Sequence, residues 1–398
     1  MDINIRDQVV ILLTVWFGSV GKTGPKPLTP SEWQSFSLWL KEKERCPETL
    51  LMNEDLNRYL EGWDNKNITA DRVRSLLARA GALGLSLERW YRAGLWVMTC
   101  FDKDYPSRLK NRVAYMPPVL FGCGNRKLLN NGGIAVIGSR DVTEEELDYT
   151  KRLGSEIVSQ GYSVISGGAR GVDDAAMSGA MEKEGTVVGV LSDSLMRAAT
   201  SSKYRKALIA GDLVLISSFN PEAGFDVGNA MARNKYIYCL SDAAIVVASS
   251  KEKGGTWSGA VENLSNKWVP LWVKSTADNK SGNKYLVAKG GHWIPDNNLS
   301  IASLIIRGSA EGKSENIQDA QPLTYSSFLS RWEKSGKKGA IKKDDLREMF
   351  NIGKKCLDQW LKQGVSEGKI IKHTEPVRYQ LVQGNQLTLD LWLHPKTG

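Results

Sequence analysis

Between residues 132 and 307, short apolar runs alternate with stretches whose apolar residues recur every three or four positions. Six of the runs read as strands: Ile134–Ile137, Ser163–Ile165, Thr186–Leu191, Val214–Ile216, Ala243–Val247 and Val269–Val273. Between the first two, Leu147, Thr150, Leu153, Ile157 and Val158 fall at helical spacing behind an acidic first turn. Strands that alternate with helices in this way are the sequence form of a parallel sheet covered by helices. The pattern predicts an α/β domain over residues 126–307.

Upstream, residues 1–125 read as a helical region, in part SAM-like. Thr69-Ala-Asp-Arg72 has the form of a helix start, and Trp33, Trp39, Trp63, Trp90 and Trp96 are expected in the core. Downstream, residues 308–321 are polar and short of large apolar side chains, as a linker would be. In residues 322–383, helical segments around Phe328–Trp332, Lys343–Phe350 and Lys354–Gln363 precede two short strands, Lys369–Lys372 and Val377–Leu381. Three helices and a hairpin read as a winged helix-turn-helix, followed by a tail at 384–398.

Composition narrows the class. With 41% hydrophobic and 24% charged residues in 398, the chain is neither wholly disordered nor collagenous nor a small disulfide-stapled domain. The net charge is +9, of which the thirteen Lys and Arg against seven Asp and Glu of residues 322–383 supply +6. A polyanion is the natural partner of such a distribution. Five scattered cysteines, without a C-x-x-C pair, and three histidines predict a reduced, cytoplasmic protein without structural zinc. The apolar run Val9–Val20 is shorter than the roughly 18 to 20 residues of a membrane span and reads as a first core helix.

Three glycine-bearing segments each follow a predicted strand: Gly138-Ser139-Arg140, Gly167-Gly168-Ala-Arg170-Gly171 and Lys253-Gly254-Gly255-Thr256. In an open parallel sheet the strands' carboxyl ends share one edge, so the three loops are expected on one rim. A single glycine there need only close a tight turn. Three together, with Arg140, Arg170 and Lys253, predict backbone amides and cations gathered around phosphate. The G-x-G-x-x-G fingerprint is absent after the first strand, so NAD chemistry is not expected.

Other constellations are weaker. Gly18–Thr23 is a P-loop fragment with Trp16 where the pattern requires glycine. Asp173 and Asp174 are adjacent, hence about 100° apart on a helix, and are expected one as a cap and the other facing solvent. His292, His373 and His394 lie outside the rim and no G-x-S-x-G elbow occurs, so no catalytic residue, metal or cofactor is expected. In the C-terminal segment, Lys354, Lys355, Gln359 and Lys362 share a helix, while Lys369, Lys372 and Arg378 decorate the wing. These suit duplex DNA, with a solvated lysine face or a protein-binding module as the alternative.

Taken together, the segments resemble the DNA-processing protein A family, DprA or Smf. Leu95–Leu109 and Pro117–Phe121 are similar to the family's D-x-x-Y-P-x-x-L and P-P-x-L lead-in. Ala135–Arg140 resembles its first strand and turn, Ser166–Asp173 its S-G-x-A-x-G-[IV]-D loop, and Ala232–Ser241 its R-N-R-x-I-x-x-L-S segment. The resemblance implies an extended Rossmann-like sheet domain and single-stranded DNA contacts at Ser139, Arg140, Ser166, Gly167, Arg170, Arg233, Asn234 and Lys235. It also implies loading of a RecA-type recombinase during transformation, and a homodimer.

The chain departs from the family pattern. Met177 stands where a histidine is usual, Gly254–Ala260 replaces S-G-[ST]-x-x-T-A, and Ser192–Ser202 lacks a Tyr-Pro pair. These changes suggest a divergent member, serving another pathway such as mobile-element or phage defence. Lys253–Glu262 also resembles the P-G-G-x-G-T-x-x-E loop of the related LOG-type phosphoribohydrolases, which implies an alternative in which Arg170 and Glu262 cut nucleoside 5′-monophosphates. A third alternative is an adaptor that binds partners through the winged helix and tail. There Gln386–Leu389 resembles the start of a sliding-clamp peptide, with Asp390 in the place of its phenylalanine.

Overall fold

All six apolar runs are strands in a computed structural model, which describes residues 3–17, 24–53, 55–276, 278, 281–295, 299–311, 325–336, 339–350, 354–374 and 377–381. They are β3 (Ile134–Ile137), β4 (Val164–Ser166), β5 (Val187–Val190), β6 (Leu213–Ser217), β7 (Ala243–Val246) and β8 (Leu271–Val273). Two strands precede them, β1 (Trp96–Thr99) and β2 (Val119–Gly124), and β9 (His292–Trp293) follows. The nine form one sheet in the order β1-β2-β6-β5-β4-β3-β7-β8-β9. From β6 to β9 every pairing is parallel, while β2 runs antiparallel to both β1 and β6.

Every residue of β3 to β8 is buried, which is why these strands read as unbroken apolar runs: helices cover both faces. The helix Glu144–Ser159 returns the chain from β3 to β4. It opens on a capping box in which Thr143 accepts from the Glu146 amide and Glu146 accepts from the Thr143 amide. The helix Val172–Glu182 then leads to β5. After β6 the chain crosses back, through the helix Val227–Leu240, to place β7 on the other side of β3. The topology therefore reverses between β3 and β7, the place where open α/β sheets bind ligands.

Residues 1–125, expected as a helical region, are not all helical. Helices do fill most of it, with Val9–Leu13 of Ile5–Thr14 and Trp33, Trp90 and Trp96 buried. Yet β1 and β2 extend the sheet, and one continuous core runs from Val9 to Leu304. The chain divides into two units, Met1–Asn316 and Ile317–Gly398. The last described helix of the first is Ile301–Glu311, so its helical backbone continues past the predicted boundary at 307. Among the described residues no helix is long and apolar enough to cross a membrane.

The second unit, taken by itself, holds the helices Tyr325–Lys334, Lys343–Phe350 and Lys354–Ser366, then a hairpin of β10 (Ile370–Thr374) and β11 (Val377–Leu381). Phe328, Trp332, Leu346, Leu357, Leu361 and Ile370 form its core. A bridge between Ile341 and Tyr379 adds a third edge to the hairpin. This is the element order from which the winged helix was expected. The P-loop-like Gly18–Thr23, residues 312–321 of the linker and the tail with Gln386–Leu389 lie outside the described residues.

Candidate nucleic-acid interface

The carboxyl ends of β4, β3 and β7 are neighbours, so the loops that follow them meet at the point of reversal, as the glycine pattern predicts. Their backbones are laced together. The Ser139 amide donates to the Ala248 carbonyl (2.9 Å), and the Val172 amide donates to the Ser139 carbonyl (3.3 Å). Gly171 sits at φ 92° as the N-cap of Val172–Glu182, and a Cβ there would lie 2.5 Å from the Ser139 carbonyl oxygen. Only glycine lets these two loops approach so closely.

Two clefts open on this rim and share Arg140, Ala169, Phe225 and Arg233. The first, about 440 Å³, is lined by Gly167, Gly168 and Arg170, and across from them by Leu191 to Ser194, Arg197 and Tyr204. The second, about 380 Å³, is lined by Gly138, Ser139, Asn234, Lys253, Gly254, Gly255 and Thr256. Most of the residues expected at the rim are thus brought together. Three are not in the clefts. Ser166 is buried and its hydroxyl donates to the Val136 carbonyl (2.6 Å), because strand β4 ends one residue later than predicted. Gly171 is buried beneath Ser139 and Arg140. Lys235 lies half-buried with its ammonium 5.4 Å from the Tyr236 ring centroid.

Beneath the clefts lies a pair that the sequence pattern did not reveal. Asp173 and Arg233 are both buried, 5% and 3% exposed, with 3.9 Å between carboxylate and guanidinium. Arg233 Nε and Nη1 and Asp173 Oδ1 have no hydrogen-bond partner. Burial pulls the Arg233 guanidinium below its ordinary value against the attraction of Asp173. Burial likewise pushes the Asp173 carboxyl up to about 6, opposed by Arg233 and by the amides of Gly138, Ala169 and Gly167. Gly167 makes room for this pair, since a Cβ on it would fall 1.5 Å from Arg233 Nη1.

The expectation that Asp173 or Asp174 caps the helix is corrected. Gly171 is the cap, Asp173 turns inward, and Asp174 pairs with Lys203 on the helix Ser202–Ala210. At the surface, Arg170 pairs with Asp141 (2.7 Å), and both remain more than three-quarters exposed. The Arg140 guanidinium lies 4.8 Å from the centroid of the exposed Phe225 ring. Phe225, Asp193 and Arg197 were also missed, for they sit outside the three glycine-bearing loops that follow β3, β4 and β7.

The helix N-termini on the rim are not equivalent. Glu144–Ser159 has three glutamates in its first turn, and Val172–Glu182 has Asp173 and Asp174. Gly254–Asn266 has no acidic residue in its first turn and no side-chain cap. Its first amides, with Lys253 beside them, are the ones suited to an anion. The alternative catalytic pair shares neither cleft: Arg170 lines the first, whereas exposed Glu262 lines neither, roughly 9 Å along the helix from Thr256 at 1.5 Å per residue.

In the second unit, Gln359, Lys362 and Lys372 are exposed, and the Lys369 ammonium is paired with Glu367 (2.8 Å). Arg378 is half-buried with its Nε unpartnered. The side chains of Lys354 and Lys355 lie outside the described residues.

Comparison with known proteins places this geometry in context. The family model for DNA recombination-mediator protein A matches residues 96–304, just over half of the chain. The DNA processing protein DprA of Bacillus subtilis is 28% identical over 213 residues, covering 50% of this chain and 69% of that protein. Protein Smf of Synechocystis is 26% identical over 213 residues, so the match spans 52% of this chain and about half, 53%, of that protein. The X-ray structure of DNA processing protein A from Streptococcus pneumoniae shares the fold, with a TM-score of 0.56 at 17% identity over 80% of this chain and 100% of that one.

Proposed function

Because the chain belongs to the DNA recombination-mediator protein A family, we propose that it is a DNA-processing protein that holds single-stranded DNA along the rim where β4, β3 and β7 end. The observation that carries this reading is Arg233. A buried guanidinium whose Nε and Nη1 have no hydrogen-bond partner among the described residues, and whose one ion pair, to Asp173, is as long as 3.9 Å, lies at the floor shared by two clefts and is costly unless a ligand anion completes it. Phosphates of a strand would be met there by Arg140, by Lys253 and by the free amides at Gly254 to Thr256. Phe225 offers an exposed ring on which a base can stack.

The action is binding, with no bond made or broken, and loading of a RecA-type recombinase on the held strand is the step it would serve. The exposed Gln359, Lys362 and Lys372 of the second unit would add contacts to duplex flanks. The nucleotide-cleaving alternative is not favoured, since Arg170 and Glu262 do not share a cleft.

Fluorescence anisotropy with a labelled single strand and a matched duplex, over a salt series, tests the proposal. Arg140→Ala is expected to weaken single-strand binding by roughly 1 to 3 kcal/mol, the scale of a charge-assisted contact. Affinity equal to wild type in a folded Arg140→Ala protein would remove the rim from the DNA site.

A further inference from the structure

We infer that the first cleft reads a base, and that Asp193 makes it select guanine; this rests on the reading of the rim as a single-strand site. Asp193 stands in a cleft that also holds Arg140, Arg170, Arg197 and Arg233. A carboxylate repels phosphate, so a cleft dedicated to the backbone gains nothing from it. Among the described residues Asp193 forms no ion pair, although its charge acts on Arg233. Nor does it cap the short helix that follows, whose N-cap is Ser194 and receives no side-chain bond.

What the structure does with Asp193 is orient it. Ser192 Oγ donates to Oδ1 (2.8 Å) and Ser194 Oγ donates to Oδ2 (3.0 Å), one hydroxyl to each oxygen. A carboxylate offers about four acceptor positions, so each oxygen keeps one free. The loop is itself held, because the Ser194 amide donates to the Ala223 carbonyl (2.9 Å) and the Met196 amide to the Pro221 carbonyl (3.1 Å). Two parallel acceptors match two adjacent N–H donors. Of the four bases only guanine presents such a pair, N1–H beside the N2 amino group. Adenine and cytosine offer one amino group next to an acceptor, and thymine one N–H between two carbonyls that would face the carboxylate.

The surroundings suit a base. Leu191, Ala198 and Tyr204 give the cleft an apolar side, and Phe225 stands exposed where the two clefts join. At about 440 Å³ the space falls within the usual range for a small-molecule pocket. Asp193 lies in Ser192–Ser202, the segment in which this chain lacks the Tyr-Pro pair of its family pattern.

The test uses the full chain and oligothymidylate strands carrying a few isolated substitutions by deoxyguanosine, deoxyadenosine, deoxycytidine or deoxyinosine. Guanine-bearing strands are expected to bind about tenfold more tightly than the unsubstituted strand, within the range measured for bidentate base contacts. Inosine, which lacks the N2 amino group, should lose most of that gain. In Asp193→Asn the ratio between guanine-bearing and unsubstituted strands should fall close to one. Equal binding of all five strands by the wild type, or a guanine preference that survives in Asp193→Asn, overturns the inference while leaving the rim as the DNA site. Failure of every strand to bind overturns both.

Discussion

At the scale of single residues, the buried Asp173–Arg233 pair is the part of the rim with the clearest physical consequence. The Asp173 carboxyl is raised from its ordinary 3.8 to about 6 because burial penalises its charge more than Arg233 and three amides reward it. The sign follows from linkage. A carboxyl whose folded pKa lies above its unfolded one favours the folded state most below about pH 4, and that contribution declines as pH rises towards 6. Below pH 6 the proton on Asp173 leaves Arg233 unneutralised, so the rim gains one positive charge. Tyr238, also buried, has a hydroxyl without a partner, and burial holds its proton on throughout this range. Single-strand affinity is expected to rise between pH 7 and 5.5 by about 1 kcal/mol, a water-screened charge pair at 4 Å. Asp173→Asn should flatten that rise; an unaltered pH profile in the variant would assign it elsewhere. The glycines of this loop were legible in the sequence. Arg233 was named there only as a contact, and its pairing with Asp173 beneath Gly167 was not legible, since it comes from a helix some sixty residues later and its burial depends on the packing of Val227–Leu240.

At the scale of elements, the helix Lys354–Ser366 and the hairpin β10–β11 divide their charges unequally. Lys362 and Lys372 are exposed, while Lys369 is already engaged by Glu367, whose carboxyl is held below its ordinary value chiefly by hydrogen bonds from Lys369 and Gln363. A double variant Lys362→Ala/Lys372→Ala is expected to weaken duplex binding more than single-strand binding. The slope of log K against log salt for duplex should fall by roughly 1 to 2, one charge per lost phosphate contact. If both slopes stay as in wild type, these cations do not meet DNA. The long amphipathic helices and the six buried strands could be read from periodicity, because each repeats its pattern often enough to be seen. Strands β1 and β2 could not. Four to six residues carry no period that separates a strand from a buried helical turn, and what makes them strands is their pairing with each other and with β6.

At the scale of the whole molecule, the two units have separate cores, one running from Val9 to Leu304 and the other built on Phe328, Trp332 and Leu361. Each is therefore expected to fold alone. A fragment ending at Asn316 should melt cooperatively and keep single-strand binding, with lower affinity and a smaller salt slope than the full chain, because linked modules raise each other's effective concentration. Thermal melting and anisotropy of the fragment check this. An identical salt slope would mean that the second unit makes no DNA contact.

The order of elements from β3 to β8, the α/β class, the three glycine loops and the concentration of positive charge in the C-terminal segment follow from the sequence alone. Each is a local property: a period, a turn residue, a count of charges. Tertiary structure decided which of the expected residues reach the clefts. It turned Ser166 inward, set Lys235 against Tyr236, drew Asp173 and Arg233 together, and gave Arg170 and Glu262 no shared cleft. It also placed Asp193 and Phe225, which no motif marked, on the rim. Such juxtapositions are made by strand order and helix packing between distant segments, and neither is written in the periodicity of any one of them.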